Sequence, residues 1–305
     1  MRHHYKKRIS GYQEWEQKPH AEDYMLFPEN IGKYLSIDEV SLSQGELYTF
    51  VTNKNGKGKK GSLVASIKGT RTAEIVHVLE KLPLKLRETV KEVTLDMANN
   101  MASAVKLSFP CSKLVTDRFH VVKLLIDALQ HVRIKLRWEE LDIENEAIEK
   151  AKKDKVKYLA QQYSNGDSPK QLLARSRHGL AKKEINWTPN QKKRIKLLFE
   201  KHPKLQEMYN HVMKFRNIYE GTSKIVAREE MESWIRESKE KEVKEFNIAA
   251  HSVQYNLDNI LNFFDNRNTN ANAESFNSKI KLFRANLRGV TDTAFFLFRL
   301  HHLFA

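Results

Sequence analysis

The chain contains 305 residues, of which 40% are hydrophobic and 30% are charged, a composition typical of a folded globular protein. Its 53 Lys and Arg residues outnumber its 38 Asp and Glu residues. The net charge of +15 favours a polyanionic partner, with nucleic acid ahead of an anionic membrane surface; a merely basic protein is the alternative. A single cysteine, Cys111, excludes an intramolecular disulfide and a thiolate zinc cluster. Apolar runs are too short to span a membrane, and no apolar segment follows the basic start, so a cytosolic location is expected.

The first section of the chain predicts strands and helices in the order β-β-β-α-β-α-β. The predicted strands cover residues 35–41, 46–53, 62–69, 90–96 and 113–120, and the predicted helices cover residues 72–83 and 97–109. Residues 1–34 lack a clear period and are expected to form an irregular or partly helical lead-in. The segment 53–61 contains an Asn-Gly pair, which favours a tight hairpin turn. This order indicates an α/β fold with helices flanking a mixed five-stranded sheet.

The second section, residues 121–264, shows heptad-like apolar spacing and no strand pattern, which predicts a long all-α insertion. Its three tryptophans are Trp138, Trp187 and Trp234. Most are expected in the core, although one could stack on a DNA base. Residues 265–305 begin with an Asn-rich loop and continue as a basic helix, which Gly289 ends, and a final apolar helix. We therefore predict a sheet-bearing domain built from residues 35–120 and 265–305.

Acidic residues lie at the ends of the predicted strands and at the start of a late helix. They are Asp38, Glu39, Asp96, Asp117 and Glu274. A single carboxylate at a strand end is usually a turn or capping residue. Several converging carboxylates, however, are what two hard divalent cations require for phosphoryl transfer. Because side chains alternate along a strand, only one of Asp38 and Glu39 is expected to join a given site.

Several words of the sequence occur together in a family-specific order. They are IDEVS (37–41), VTLDMANNM (93–101), FP-x5-TDRFHVVK (109–123), KQLLARSR (170–177) and TNANAESFNSKIK (269–281). Over roughly residues 35–300 the chain resembles the ISL-three family of bacterial insertion-sequence DDE transposases. The resemblance implies an RNase H-like catalytic domain with the helical segment as an insertion.

The resemblance also implies the roles of the carboxylates. Asp38, Asp96 and Glu274 form the expected catalytic triad, holding two Mg²⁺ ions for which Mn²⁺ substitutes. Asp117 and His120 match the D-x-x-H signature of such transposases and are expected to support the site. Asp117 remains the alternative for the second carboxylate, and His120 packed under the sheet is the structural alternative. Asp96 is preferred because the first and fourth strands should be neighbours at the centre of the sheet.

Polar and basic residues follow Glu274 on the predicted helix. Asn277 and Lys281 share its face and are expected to orient the site and to contact phosphate. The expected DNA-binding residues are Lys279, Lys281, Arg284 and Arg288. Four lysines of the predicted hairpin turn, interpreted as solvated, are Lys54, Lys57, Lys59 and Lys60.

The resulting hypothesis is an enzyme that cleaves double-stranded DNA at element ends and joins it to target DNA in the bacterial cytosol, associated with the nucleoid. It is expected to act as a homo-oligomer on DNA. The usual zinc ribbon and helix-turn-helix are not recognisable, so end recognition is expected on a separate DNA-recognition polypeptide or a lost upstream reading frame. The alternatives are a nuclease that cuts without joining and a non-catalytic DNA-binding protein derived from a transposase.

Overall fold

The computed structural model describes residues 4–43 and 45–305. Its strands are β1 (Tyr24–Leu26), β2 (Tyr34–Ser43), β3 (Glu46–Asn53), β4 (Leu63–Lys68), β5 (Glu92–Leu95) and β6 (Lys113–Thr116). The helices of the first section are α1 (Thr72–Leu79), α2 (Leu84–Arg87) and α3 (Asn99–Ser108). The following helices are α4 (Arg118–Lys153), α5 (Pro169–Arg175), α6 (Arg177–Leu180), α7 (Pro189–Lys201), α8 (Pro203–Ile218), α9 (Lys224–Glu240) and α10 (Lys244–Tyr255). The last are α11 (Leu257–Leu261), α12 (Phe263–Asn266), α13 (Ala271–Asn286) and α14 (Thr293–Phe304).

The strands form one mixed sheet in the order β1-β4-β3-β2-β5-β6. The meander from β2 to β4 is antiparallel, whereas β5 pairs with β2, and β6 with β5, in parallel. This sheet and its helices confirm the α/β, RNase H-like fold class. The expected number of five strands was too low, because β1 lies in the lead-in and adds a sixth strand at the edge, antiparallel to β4. A three-residue strand is too short to show an alternating pattern in the sequence.

The two faces of the sheet have separate apolar cores. Helices α1 and α3 cover one face, where Leu35 and Ile37 of β2 pack with Val93 of β5. Helices α13 and α14 cover the other face, where Phe50 of β3 packs with Phe276. Since successive side chains of a strand point to opposite faces, the residues of β2 between those of the first core face α13.

The segment between β3 and β4 differs from the expected tight hairpin. Its first residues form a 3₁₀ turn, Lys54–Gly56, and Lys57 adopts a left-handed conformation with φ of 50°. A Cβ atom on Gly56 would lie 2.7 Å from the Cα atom of Ser62, so this close approach requires glycine. The Asn-Gly pair therefore serves a longer, compact loop rather than a two-residue turn.

Residues Val121–Leu257 form a compact unit of their own, and Met1–His120 with Asp258–Ala305 form the other. The predicted extent of the insertion, residues 121–264, remains a prediction. In the helical unit Trp234 is fully buried and stacks on His211, and Trp187 donates a hydrogen bond to the Gly179 carbonyl, whereas Trp138 is 55% exposed. Within residues 4–43 and 45–305, none of the helices has the length and apolar character needed to cross a membrane.

Candidate catalytic site

Three aspartates from three adjacent strands lie in one region of the sheet: Asp38 in the middle of β2, and Asp96 and Asp117 just beyond the ends of β5 and β6. In the parallel pairing of β2 with β5, Ser36 is opposite Thr94. Asp38 and Asp96 each lie two residues further along, and Asp117 directly follows the last paired residue of β6. Register alone therefore brings the three carboxylates to one region of the sheet.

Asp38 projects from β2 on the side of the sheet that α13 covers, because its paired residue on β3, Phe50, belongs to that core. Its Oδ1 atom accepts a hydrogen bond of 2.8 Å from the backbone N–H of Glu39. Its Oδ2 atom accepts one of 2.6 Å from the side-chain amide of Asn277, which is buried. Burial raises the pKa of Asp38 and the Asp96 charge raises it further, while these hydrogen bonds and the His120 charge oppose the rise. Asn277 thus contacts Asp38 directly, and its role in orienting the site remains a prediction.

Asp96 lies in the short segment between β5 and α3, where its Oδ1 atom accepts a hydrogen bond of 2.8 Å from the N–H of Ala98. Its charge also reaches Glu39, whose pKa is raised by burial first, then by Asp96 and Asp38. Although alternation sends Asp38 and Glu39 to opposite faces, Asp96 therefore acts electrostatically on both. The expectation that only one of Asp38 and Glu39 joins the site remains a prediction.

Asp117 is almost completely buried, with 1% of its surface exposed. Its Oδ1 atom accepts a hydrogen bond of 3.3 Å from the backbone N–H of Asn270, in the loop before α13. Its Oδ2 atom lies 3.3 Å from Nδ1 of His120. This contact is the largest cause of a raised His120 pKa, and the charges of Asp96 and Asp38 add to it. His120 is accordingly not packed under the sheet but forms an ion pair at the carboxylates when protonated.

Glu274 lies in the first turn of α13, as the helical pattern predicted. Burial is the largest cause of its raised pKa, followed by the negative charge of Asp117; the Asp38 charge adds to it and His120 opposes it. Asp38 is thus within electrostatic reach of both Asp96 and Glu274.

A comparison with known protein families matches residues 35–300 to the ISL-three type of DDE transposase, a family described as transposase. The chain belongs to this transposase family. A second comparison, with curated proteins, gave no match. Family membership assigns DNA as the substrate, DNA cleavage as the general activity and transposition as the process.

For a transposase of this family, the donor set agrees with hard divalent cations, because all candidate ligands are carboxylate oxygens. The side-chain Oδ1 of Asn277 is a buried polar atom that lacks a hydrogen-bond partner within the described residues, and Oδ2 of Asp117 has only the 3.3 Å ion-pair contact with His120 there. Among residues 4–43 and 45–305, no three His, Cys, Asp or Glu side chains are close enough together to hold one ion as they stand. The ligand set Asp38, Asp96 and Glu274 therefore remains a prediction of the transposase sequence.

The four predicted DNA-binding residues divide into two kinds, three of them on α13 and Arg288 just beyond its end. Lys279 donates a hydrogen bond to the Gly58 carbonyl, and Arg284 donates one of 2.9 Å to the Ser41 carbonyl. Lys281 and Arg288 are exposed. Lys279 therefore attaches the helix to the loop between β3 and β4, and Arg284 attaches it to β2, contacts that the sequence did not indicate. The other two present charge to solvent.

Lys54 lies near the candidate site and is buried, whereas the sequence pattern predicted it to be solvated. It is 7% exposed rather than solvated, and its ammonium group contacts the hydroxyl of Thr94 and lies 3.5 Å from Oε1 of Glu92. Burial lowers the pKa of Lys54, and the charges of Glu92 and Asp117 oppose this. No local signal in a Lys-rich turn separates one buried lysine from its solvated neighbours.

Proposed function

We propose that this transposase cleaves DNA at insertion-sequence ends and joins it to target DNA by two-metal phosphoryl transfer. The observation that supports this most is the proximity of Asp38, Asp96 and Asp117 on β2, β5 and β6, together with the hydrogen bond from Asn270 to Asp117 that brings the start of α13 to them. Burial first, and then neighbouring carboxylate charges, raise the pKa values of Asp38 and Glu274. Several carboxylates that oppose one another's ionisation are typical of a cation site.

Asp38, Asp96 and Glu274 are the proposed ligands. Two bound Mg²⁺ ions, or Mn²⁺ in their place, would activate the nucleophile and stabilise the leaving oxygen of the phosphodiester. Asn277 donates a hydrogen bond to one oxygen of Asp38, and His120, when protonated, offsets the negative charge of Asp117.

Asp96 is proposed over Asp117 as the second carboxylate for two reasons. Asp38 and Asp96 each lie two residues beyond the last residue pair of β2 and β5. Asp117, in contrast, already accepts the Asn270 N–H and contacts His120. The charge felt by Glu274, however, comes from Asp117 and Asp38. Metal binding must therefore be measured directly to decide between Asp96 and Asp117.

The proposed substrate is double-stranded DNA at the element ends and at the target, bound by a homo-oligomer. A separate polypeptide for end recognition stays part of this proposal. The location in the bacterial cytosol, at the nucleoid, follows from the same activity.

The test is cleavage and strand transfer with duplexes carrying the ends that flank the gene, a supercoiled plasmid as target, and Mg²⁺ or Mn²⁺. Glu274→Gln should lower both rates by at least about 1000-fold, because the amide keeps the shape but loses the charge that holds the metal. Glu88→Gln, an exposed site in the same unit, is the matched control. Cleavage without joining would favour the nuclease, and DNA binding without cleavage would favour the non-catalytic protein.

A further inference from the structure

Three arginines of the helical unit lie around one point between α4 and α6. Arg133 is 5% exposed, and its Nε donates a hydrogen bond of 2.6 Å to Gln130 while its Nη1 donates one of 3.0 Å to the Leu173 carbonyl. The Gln130 amide in turn donates one of 3.0 Å to the carbonyl of Arg177. Arg137 follows Arg133 by one helical turn on the same face. Hydrogen bonds thus fix the Arg133 side chain and connect α4 to the backbone of Arg177.

The arginine cluster consists of Arg133, Arg137 and Arg177. Other arginines of the unit pair with acids, as Arg175 does with Asp167. Within the described residues, no carboxylate reaches ion-pairing distance of the three clustered guanidinium groups. Burial lowers the pKa of Arg133, and the charges of Arg177 and Arg137 lower it further. The three cations therefore repel one another in the protein alone.

Arg137 supplies the second sign of a missing partner. Its Nε atom is buried and has no hydrogen-bond acceptor among the described residues. A buried charge without an anion, and a buried donor without an acceptor, both cost free energy that a bound anion would offset. Because Arg177 is exposed and Arg137 is half-buried, an anion can reach the cluster from solvent.

We infer that Arg133, Arg137 and Arg177 form a binding site for a phosphodiester group of the DNA backbone. Guanidinium groups bind phosphate oxygens in a bidentate manner, and Arg is the residue best suited to this contact. The inference rests on the proposed function for its ligand, since DNA is the phosphate-bearing partner of that activity. It also gives a role to the KQLLARSR word, which contains both Leu173 and Arg177.

The first measurement is the affinity of the full chain for a duplex of about 40 base pairs by fluorescence anisotropy, across a salt series. Arg137→Gln and Arg177→Gln should each reduce the slope of log K against log salt by about 1, and weaken binding about tenfold near 0.1 M salt. Arg228→Gln removes the same charge from an arginine paired with Glu232, so its slope should change little. Because the clustered charges repel, neither cluster variant should lower the melting temperature by more than the control does.

The second measurement separates DNA from free phosphate. Sodium phosphate is compared with sodium chloride at equal ionic strength, and the melting temperature of wild type and Arg177→Gln is recorded. The proposal stands if the DNA slope falls in both cluster variants. Stabilisation by inorganic phosphate with unchanged DNA slopes would assign the site to free phosphate and overturn the DNA ligand. Unchanged slopes without phosphate stabilisation would overturn the site altogether. Binding is measured without cleavage, so a failure of catalysis would overturn the proposed function and leave this result standing.

Discussion

The negative charges of Asp117 and Asp38 oppose the ionisation of Glu274. Its pKa is raised first by burial and then by these two charges. A raised native pKa means that the folded protein holds the proton more tightly than the unfolded chain. The contribution to stability is then fully present below the ordinary glutamate pKa of about 4.3 and is lost as pH rises through the native pKa. At neutral pH without metal, the Glu274 charge thus lowers the free energy of unfolding.

Glu274→Gln should therefore raise the melting temperature at pH 7 in the presence of a chelator, by an amount on the order of 1 °C. The difference from wild type should shrink as pH falls below about 4, where both forms are neutral. Calorimetric scans across pH measure this, with Glu88→Gln as the control for a generic loss of surface charge. A lower melting temperature for Glu274→Gln at pH 7 would contradict the electrostatic account.

The choice between Asp96 and Asp117 leads to a prediction about metal. Asp117→Asn should reduce strand transfer less completely than Asp96→Asn, because Asp117 is engaged with Asn270 and His120. Metal binding is measured by calorimetry and by Fe²⁺-directed DNA scission, after thermal melts have shown both variants to be equally folded.

Loss of metal in Asp117→Asn, together with its retention in Asp96→Asn, would make the triad Asp38, Asp117 and Glu274. His120→Gln serves as the matched control, since it removes the cation beside Asp117 and keeps all carboxylates. We expect this variant to weaken catalysis more than metal binding.

Single residues also show where the sequence was sufficient. Glu274 and Asn277 were predictable as one helical face, because their spacing of three residues is local. The burial of Lys54 was not, since its partners Glu92 and Thr94 lie 38 and 40 positions away. Contacts of that kind depend on strand pairing, which a sequence pattern does not specify.

At the scale of elements, one buried ion pair connects three of them. Lys54 comes from the loop after β3, Glu92 from β5, and the second oxygen of Glu92 accepts a hydrogen bond of 3.1 Å from Asn266 of α12. Helix α12 precedes the loop that leads to Glu274. These contacts thus connect the segment that precedes Glu274 to β5, the strand that leads to Asp96.

Lys54→Met should destabilise the protein by about 3 kcal/mol, because it leaves the Glu92 carboxylate buried without its cation. The double variant Lys54→Met with Glu92→Gln should recover most of this loss, since no unpaired charge remains. Urea denaturation of both variants and of Glu92→Gln alone gives the coupling free energy. A double variant no more stable than Lys54→Met would show that packing, rather than charge, determines the effect.

The elements themselves were largely predictable. Strands β2 to β6 and the long helices follow from apolar periodicity over many residues. The apolar spacing of residues 121–264 did not show the break between α7 and α8, which falls at Pro203 because proline has no N–H for the preceding helix. Strand β1 was not predicted, because its three residues form a strand only through their pairing with β4.

At the scale of the whole molecule, the net charge of +15 is only partly available to DNA. Several Lys and Arg side chains already form ion pairs or hydrogen bonds with other groups of the protein. Examples are Lys54, Arg175, Arg194, Lys279 and Arg284. Affinity for DNA should therefore reflect the number of phosphates contacted by exposed residues, and not the total charge.

This makes the salt dependence of binding the decisive property of the intact chain. Each neutralised phosphate contributes about −0.9 to the slope of log K against log salt. Even four contacts would lower affinity about 100-fold between about 50 and 200 mM salt. We expect at least this fall in anisotropy titrations of the full chain with duplex DNA, with Glu274→Gln giving the same slope as wild type or a slightly tighter complex. Affinity that stays flat over this range would mean that the surplus positive charge does not face the phosphates, and the DNA interface would then have to be sought among uncharged groups.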